Sequence, residues 1–305
     1  MRQDRRTGGA AILVDVSESA LRSVSDTALL VAMHRALESD RPDARFHDPY
    51  ARPLAGDRGE RIARDLRYGQ AGWPVVARTV HFDSLITRLA ADQVACVVNL
   101  AAGLDARPYR LDLPSTLRWI EADLPDMLEY KASLLAGSEP RCALERVPAD
   151  LTDAGAVARV LEKTGDLPSL VLTEGLLVYL REEDVARLCQ TLAARQNLTH
   201  WLLDISGAAA LRWGARGRMG RQLASANATH RWAPREGPDF FRTFGWAPVE
   251  VRSSFEEAVR LRRMPLWLRA VETVTPRGRR DDLHHIARLV LLERGVDTQA
   301  AGTID

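Results

Sequence analysis

One apolar run that breaks on a small-residue turn and meets an acid at once constrains this chain more than any other feature. It is the stretch VACVVNLAAGLDARPYRL, residues 94–111. Five or six apolar residues without strict alternation suit a strand buried on both faces, as in a mostly parallel sheet covered by helices. The turn around Gly103, with Ala101 and Ala102 beside it, presents little side chain, so a ligand can approach the backbone closely. Asp105 then stands where it can fix the loop or face that ligand. An ordinary strand-to-helix turn explains the segment equally well when it is taken alone.

Two later segments tip the balance. LRWIEADLP ends a second strand on Glu121 and Asp123, about 20 residues past the turn, where an acid can accept hydrogen bonds from ribose hydroxyls. VLTEGLLVYL places Glu174 just after another apolar run, ahead of Gly175, suited to a cationic ligand group. Between them, Asp150 and Leu151 follow a third strand. There a carboxylate can take an exocyclic amine while leucine covers a ring, or Asp150 can cap the following helix. No GxGxxG or other phosphate-binding glycine pattern accompanies these acids, so a ligand lacking a pyrophosphate fits better than a dinucleotide.

Periodicity supplies the rest of the expected architecture. Strands are expected at 95–100, 117–121, 143–148, 170–173 and 201–204, with later ones near 248–252 and 285–292. Helices are expected at 127–135, 154–162 and 182–194. Ahead of the first strand lie mostly helical residues 17–92. One helix there begins near Ser23 or Ser25 with Leu29, Ala32, Met33 and Leu37 facing inward. A second spans 76–91 with Val76, Val80, Leu85 and Leu89 inward. The stretch 40–56, punctuated by Pro42, Pro49 and Pro53, reads as turn. Residues 1–16 are expected to be mobile, 207–240 to cap the ligand edge, and 293–305 to form a tail.

Bulk properties narrow the classes. With 305 residues the chain suits one large domain, 17–292, with a sizeable core. A net charge of +1 gives no reason to expect a nucleic-acid partner, and the basic cluster RLRRM near Arg260 is small. Cys96, Cys142 and Cys189 are far apart without metal-ligand spacing, which predicts no metal and a reducing setting. No signal peptide or membrane-length apolar run is visible, so a cytoplasmic protein without a membrane partner is expected.

Taken together, SDTALLVAMHRALE, FHDPYARPLAG, ARTVHFD, VVNLAAGLDARPYRL, IEADLP, the Asp150–Leu151 pair and EGLLVYL resemble the leucine carboxyl methyltransferase family, in particular its bacterial O-methyltransferase branch. The resemblance implies an α/β class I methyltransferase fold: Rossmann-like, with a mostly parallel seven-stranded sheet, helices on both faces, an N-terminal helical extension and a helical cap. It implies S-adenosyl-L-methionine as cofactor. Arg78 would take the methionine carboxylate, the turn at Ala101 and Gly103 with Asp105 the methionyl part, and Asp123, with Glu121 beside it, the ribose. Asp150 and Leu151 would take the adenine end and Glu174 the amino-acid portion. Family members usually carry GAG where this chain has AAG, so Ala101 replaces a glycine. A positive φ there would strain the loop by about 1 kcal/mol or more.

The implied reaction is O-methylation of a small-molecule carboxylate, as in members that methylate polyketide acids. An ionised carboxylate needs no general base, whereas a phenol, with a pKa of about 10, would favour a histidine base. None of His81, His200, His230, His284 and His285 shows a sequence arrangement that singles it out, so no catalytic acid–base residue is expected. A phenol acceptor, a protein C-terminus and a non-catalytic scaffold role stay open, as does the oligomeric state. A cap rich in arginine and tryptophan would suit an aromatic acid.

Overall fold

The computed structural model describes residues 25–65, 72–208, 210–211, 230–275 and 284–295. Three helices come first: α1 (Ser25–Ser39), α2 (Ala51–Asp65) and α3 (Trp73–Asp92). Alternation follows, with β1 (Cys96–Leu100), a short α4 (Arg107–Arg110), β2 (Arg118–Asp123), α5 (Pro125–Leu134), β3 (Ala143–Pro148), α6 (Ala154–Glu162), β4 (Ser169–Thr173), α7 (Glu182–Ala193) and β5 (Leu198–Ser206). The chain closes with β6 (Trp246–Ser253), α8 (Ser254–Arg260), α9 (Leu266–Val274) and β7 (Ala287–Arg294).

The seven strands form one sheet in the order β3-β2-β1-β4-β5-β7-β6. β1 to β5 run parallel, and β7 lies antiparallel between β5 and β6. Alternate residues of each strand enter opposite cores, because successive side chains point to opposite faces. Val98, Leu100 and Val171 pack with α6 and α7, whereas Val97, Leu170 and Leu172 pack under Phe82, Ile86 and Leu89 of α3. Helices cover both faces, which explains the unbroken apolar runs. Strand order reverses between β1 and β4, both of which pair at the centre of the sheet. In open parallel sheets the crevice beyond the strand ends at such a reversal is where ligands bind.

Several expectations need correction. The turn-rich stretch hides the start of α2: Pro53 sits in its first turn, where a missing N–H costs nothing, and Gly56 carries the bend with φ 56° and ψ −176°. Leu37 is exposed and Val80 only half-buried, so neither belongs to the core. β2 runs on to Asp123, and β7 extends to Arg294, into the expected tail. Residues 1–24, 212–229 and 296–305 lie outside the described residues, including the expected mobile segment, Ser23 and Trp213 of the expected cap. No described helix is long and apolar enough to cross a membrane.

Candidate functional site

The edge of the sheet where β1, β2, β4 and β5 end in the same direction gathers most of the acids that the sequence singled out. Leu100 closes β1 and the chain turns at once. Ala101 has φ 56° and Gly103 φ 47°, both left-handed. Glycine tolerates that region; alanine does not, because its Cβ meets the neighbouring carbonyl, at a cost of about 1–2 kcal/mol. The turn is held by two bonds. Ala102 N–H donates to Ala122 O at 3.2 Å, and Gly103 N–H donates to Asp123 Oδ2 at 2.7 Å. A Cβ added at Gly103 would meet only Ala28 Cβ at 3.6 Å and Ala101 O at 4.0 Å, so the turn's outer surface is open.

Ala101→Gly should therefore raise stability. Relief of the strain exceeds the extra freedom that glycine gives the unfolded chain, for a net gain of about 0.5–1 kcal/mol. Urea unfolding measures it as a higher midpoint at constant slope. A lower midpoint would show that the alanine methyl is held by favourable packing.

Asp105 does not face outward. It is buried, with Oδ2 accepting from Asn99 Nδ2 and Arg107 Nη1, each at 2.9 Å, and Oδ1 from the Arg107 N–H at 2.9 Å. Burial alone would raise its pKa, but Arg107, then Lys131, Arg35 and Arg110, hold it at about 2. Arg107 is the centre of the site, with its side chain 3% exposed. Besides Asp105 it reaches Asp83 on α3 through Nε at 2.7 Å and Glu174 Oε2 through Nη1 at 2.7 Å.

Glu174 stands one residue beyond β4. Its second oxygen accepts from Arg78 Nε at 2.8 Å, while Arg78 Nη1 donates to Asp204 Oδ2 at 2.9 Å. β4 and β5 pair with Thr173 opposite Leu203, which brings Glu174 and Asp204 side by side. Gly175, at φ 66°, lets Arg78 lie across the strand ends, since a Cβ there would sit 3.3 Å from Nη1. Its N–H donates to Asp204 Oδ1 at 2.6 Å. Among the described residues, Arg78 Nη2 has no hydrogen-bond partner. Burial would lower the Arg78 pKa, but Asp204 and Glu174 reverse the effect and raise it. Glu174 is itself depressed: Arg107 and Arg78 outweigh the burial that would raise it.

The ion pairs continue through Arg110, which bridges Asp83 and Asp48, to Arg35 on α1. Along this chain Arg78, Arg107, Arg110 and Arg35 face Asp204, Glu174, Asp105, Asp83 and Asp48. The five carboxylates outnumber the four guanidiniums by one, although each has an arginine partner. Asp123 adds to the negative balance, because among the described residues its oxygens accept only from the Gly103 and Leu124 N–H groups. Burial pushes its carboxyl up against those bonds.

The acids expected to share the ribose part company. Glu121 does lie on the Asp123 face of β2, but its carboxylate is fully buried and engaged by Lys131 Nζ at 2.7 Å and Arg146 Nε at 3.1 Å. It is an internal ion pair closed to ligands. Asp150 is exposed, and its Oδ1 accepts from the Thr152 N–H at 2.9 Å and Oγ1 at 2.7 Å, so its carboxyl is lowered. The cap of α6 is Asp153, which accepts from Gly155 N–H at 2.8 Å. Leu151 lines an apolar cleft with Leu100, Val157, Leu176, Leu180 and Leu188.

Asp204 was not singled out from the sequence, although it ends an apolar run as Glu174 does. Of the histidines, His81 turns away from Arg78 toward Glu250, at 3.8 Å, and His200 toward Glu293 at 3.5 Å. His284 pairs with Glu256 at 3.0 Å. His230 alone of these meets the site's edge, with its ring centroid 5.5 Å from that of Tyr179. The expected aromatic lining of the cap is used otherwise: Trp232 is buried against Phe240 and Phe241.

Comparison with known proteins bears on the family and the fold. The model of the leucine carboxyl methyltransferase family matches residues 28–193. A Mycobacterium marinum protein, provisionally named an S-adenosyl-L-methionine-dependent methyltransferase, is 37% identical over 179 residues, covering 53% of this chain and 59% of that protein, less than two thirds of its length. A Mycolicibacterium smegmatis protein of the same provisional name is 32% identical over 262 residues, covering 77% of this chain and 86% of the relative. The crystal structure of a DUF574 family protein from Streptomyces avermitilis superposes with a TM-score of 0.54 at 15% identity, over 87% of this chain and 97% of that one. A provisionally named methyltransferase structure from Thermobifida fusca gives a TM-score of 0.51 at 17% identity, over 81% and 93%. These two structures bear on the fold alone, a Rossmann-like methyltransferase sheet.

Proposed function

The chain belongs to the leucine carboxyl methyltransferase family, and from that premise we propose that it transfers a methyl group from S-adenosyl-L-methionine to an oxygen of a small molecule. One observation carries the reading. The acids at the sheet's switch point outnumber the guanidiniums they pair with, and they surround an open, strained turn. The cofactor has two cationic centres and one carboxylate, a net positive charge that such a site needs. It supplies, when bound, a methyl group activated by a sulfonium.

The protein's residues then have distinct tasks. Arg78, with Nη2 free of partners among the described residues, would meet the carboxylate of the methionyl part. Glu174 and Asp204 have lone pairs left for its ammonium group, and the backbone of Ala101–Gly103 would border the chain between. Asp123 would take the ribose hydroxyls, without Glu121. Leu151 and its apolar cleft suit the adenine face, with Asp150 at the rim. Asp105 supports this set indirectly, by holding Arg107 in place. Alignment of donor and acceptor can supply roughly 7–11 kcal/mol of the barrier.

A carboxylate acceptor, the first expectation, is already ionised and needs no general base. A hydroxyl acceptor is the second reading, favoured by His230 at the edge of the site. Calorimetric titration with S-adenosylmethionine and S-adenosylhomocysteine tests the cofactor, and absence of binding to a folded protein would refute it. Arg78→Ala should weaken S-adenosylmethionine binding by about 2–4 kcal/mol, through loss of a desolvated charge pair. Equal affinity in that variant, with an unchanged urea midpoint, would remove Arg78 from the binding role.

A further inference from the structure

His230 is placed by bonds that do not depend on its side chain. The N–H groups of Arg231 and Trp232 donate to Val178 O at 2.7 and 3.3 Å, which docks residues 230–232 onto the 3-10 turn Leu177–Tyr179. Trp232 then anchors the strand of chain in the core, 2% exposed. The imidazole is thereby set edge-on to the Tyr179 ring, at 5.5 Å and 70° between planes. Tyr179 in turn lies within the field of Arg78 and Asp204, and Asp204 also acts on His230. The imidazole therefore borders the strand ends that carry the proposed cofactor site.

Its Nδ1 is buried and has no hydrogen-bond partner among the described residues. A buried polar atom without a partner is costly, and a proton-accepting role accounts for keeping one at the edge of the site. Burial lowers the His230 pKa, opposed by Asp204, so the ring is held in its neutral, proton-accepting form. A carboxylate acceptor would gain nothing from a neutral base. It would also need a cation, while Arg78 and Arg107 are already shared among Glu174, Asp204, Asp105 and Asp83.

We propose that His230 receives the proton of a hydroxyl acceptor, and that the acceptor is a small phenol. The inference rests on the proposed methyl transfer. As the phenol oxygen forms its bond to the methyl carbon, its O–H electrons stay on oxygen and the proton passes to the imidazole. The carbon–sulfur bond breaks with its electron pair going to sulfur. The imidazolium then releases the proton to solvent.

The test uses the full chain saturated with S-adenosylhomocysteine and titrated at pH 6 with 4-nitrophenol, whose ionised form is yellow. The probe should bind as the neutral phenol without a rise in the phenolate band, because an imidazole whose pKa burial has lowered takes the proton only as the methyl group transfers. His230→Gln should bind S-adenosylhomocysteine with the same affinity, by calorimetry. With S-adenosylmethionine, methylation of the probe should fall roughly 100-fold or more in His230→Gln near neutral pH. That deficit should shrink at a pH where the probe ionises by itself, which a merely structural role would not produce. Ionisation of the probe on binding at pH 6, equal methylation rates in the two proteins, a deficit unchanged where the probe ionises by itself, or no binding of the probe would overturn the proposal. Failure of the natural protein to bind S-adenosylhomocysteine would instead overturn the cofactor reading beneath it.

Discussion

Replacing Arg107 with methionine should cost about 3–5 kcal/mol of stability and abolish cofactor binding, because a buried ion pair stripped of one member leaves an uncompensated charge. The loss is a large part of a domain's usual 5–15 kcal/mol or so. Arg107 touches no proposed ligand group, but it holds three carboxylates at once: Asp83, Asp105 and Glu174. Each sits on a different element, on α3, on the turn after β1 and after β4, so its removal uncouples the pieces that frame the site. The pH dependence identifies the cause. A carboxyl depressed by folding adds stability that is fully present above its unfolded pKa of about 4 and is lost as pH falls through the folded value. For Asp105 that lower value is about 2. Without Arg107, burial acts on Asp105 with its main opponent gone, and Glu174 keeps only Arg78. Their folded pKa values then rise, and the sign reverses: ionising them as pH rises destabilises the variant. The urea midpoints of variant and natural protein should lie far apart at pH 7 and close up toward pH 4. A gap independent of pH would mean that Arg107 contributes packing alone.

The parts of this fold legible in the sequence are those where one local cause dominates. Strands buried on both faces leave apolar runs that no surface segment shows, so β1 and β4 stood out, whereas the cap of α6 fell on Asp153 rather than on Asp150. α2 was hidden because Pro53 and Gly56, ordinarily turn signals, are tolerated in its first turn and at its bend. The site was legible as a set of strand-end acids but not in its division of labour. Glu121 and Asp123 carry the same charge on the same face. Only the burial of Lys131 from α5 separates an internal pair from an open acid. Asp204 needed the register of β4 against β5 to bring it beside Glu174. The left-handed turn at Ala101 contradicts its own residue type, and such local conflict tends to gather at functional sites.

Lys131→Met should be the second most damaging change, and it separates structure from binding at β2. Lys131 and Glu121 are both fully buried, 2.7 Å apart, and Arg146 is the other described cation on Glu121. Removal of the lysine charge leaves a buried carboxylate with one partly exposed partner, at an expected cost of about 3 kcal/mol. Removing both charges is a different matter, since apolar or neutral replacements of a buried pair are often close to neutral. Lys131→Met combined with Glu121→Gln should therefore recover most of the lost stability, so the cycle of single and double variants gives a strong positive coupling. Arg146, then without its carboxylate, retains the Tyr109 hydroxyl at 2.6 Å and an opening to solvent, which limits the residual cost. The double variant also tests the ribose assignment. If Asp123 alone takes the ribose, S-adenosylhomocysteine affinity in the folded double variant should match that of the natural protein, while Asp123→Asn should lose at least tenfold, the equivalent of about 1.4 kcal/mol. A double variant that folds well but binds tenfold more weakly would return Glu121 to the site and make its partnership with Lys131 a means of positioning the ligand.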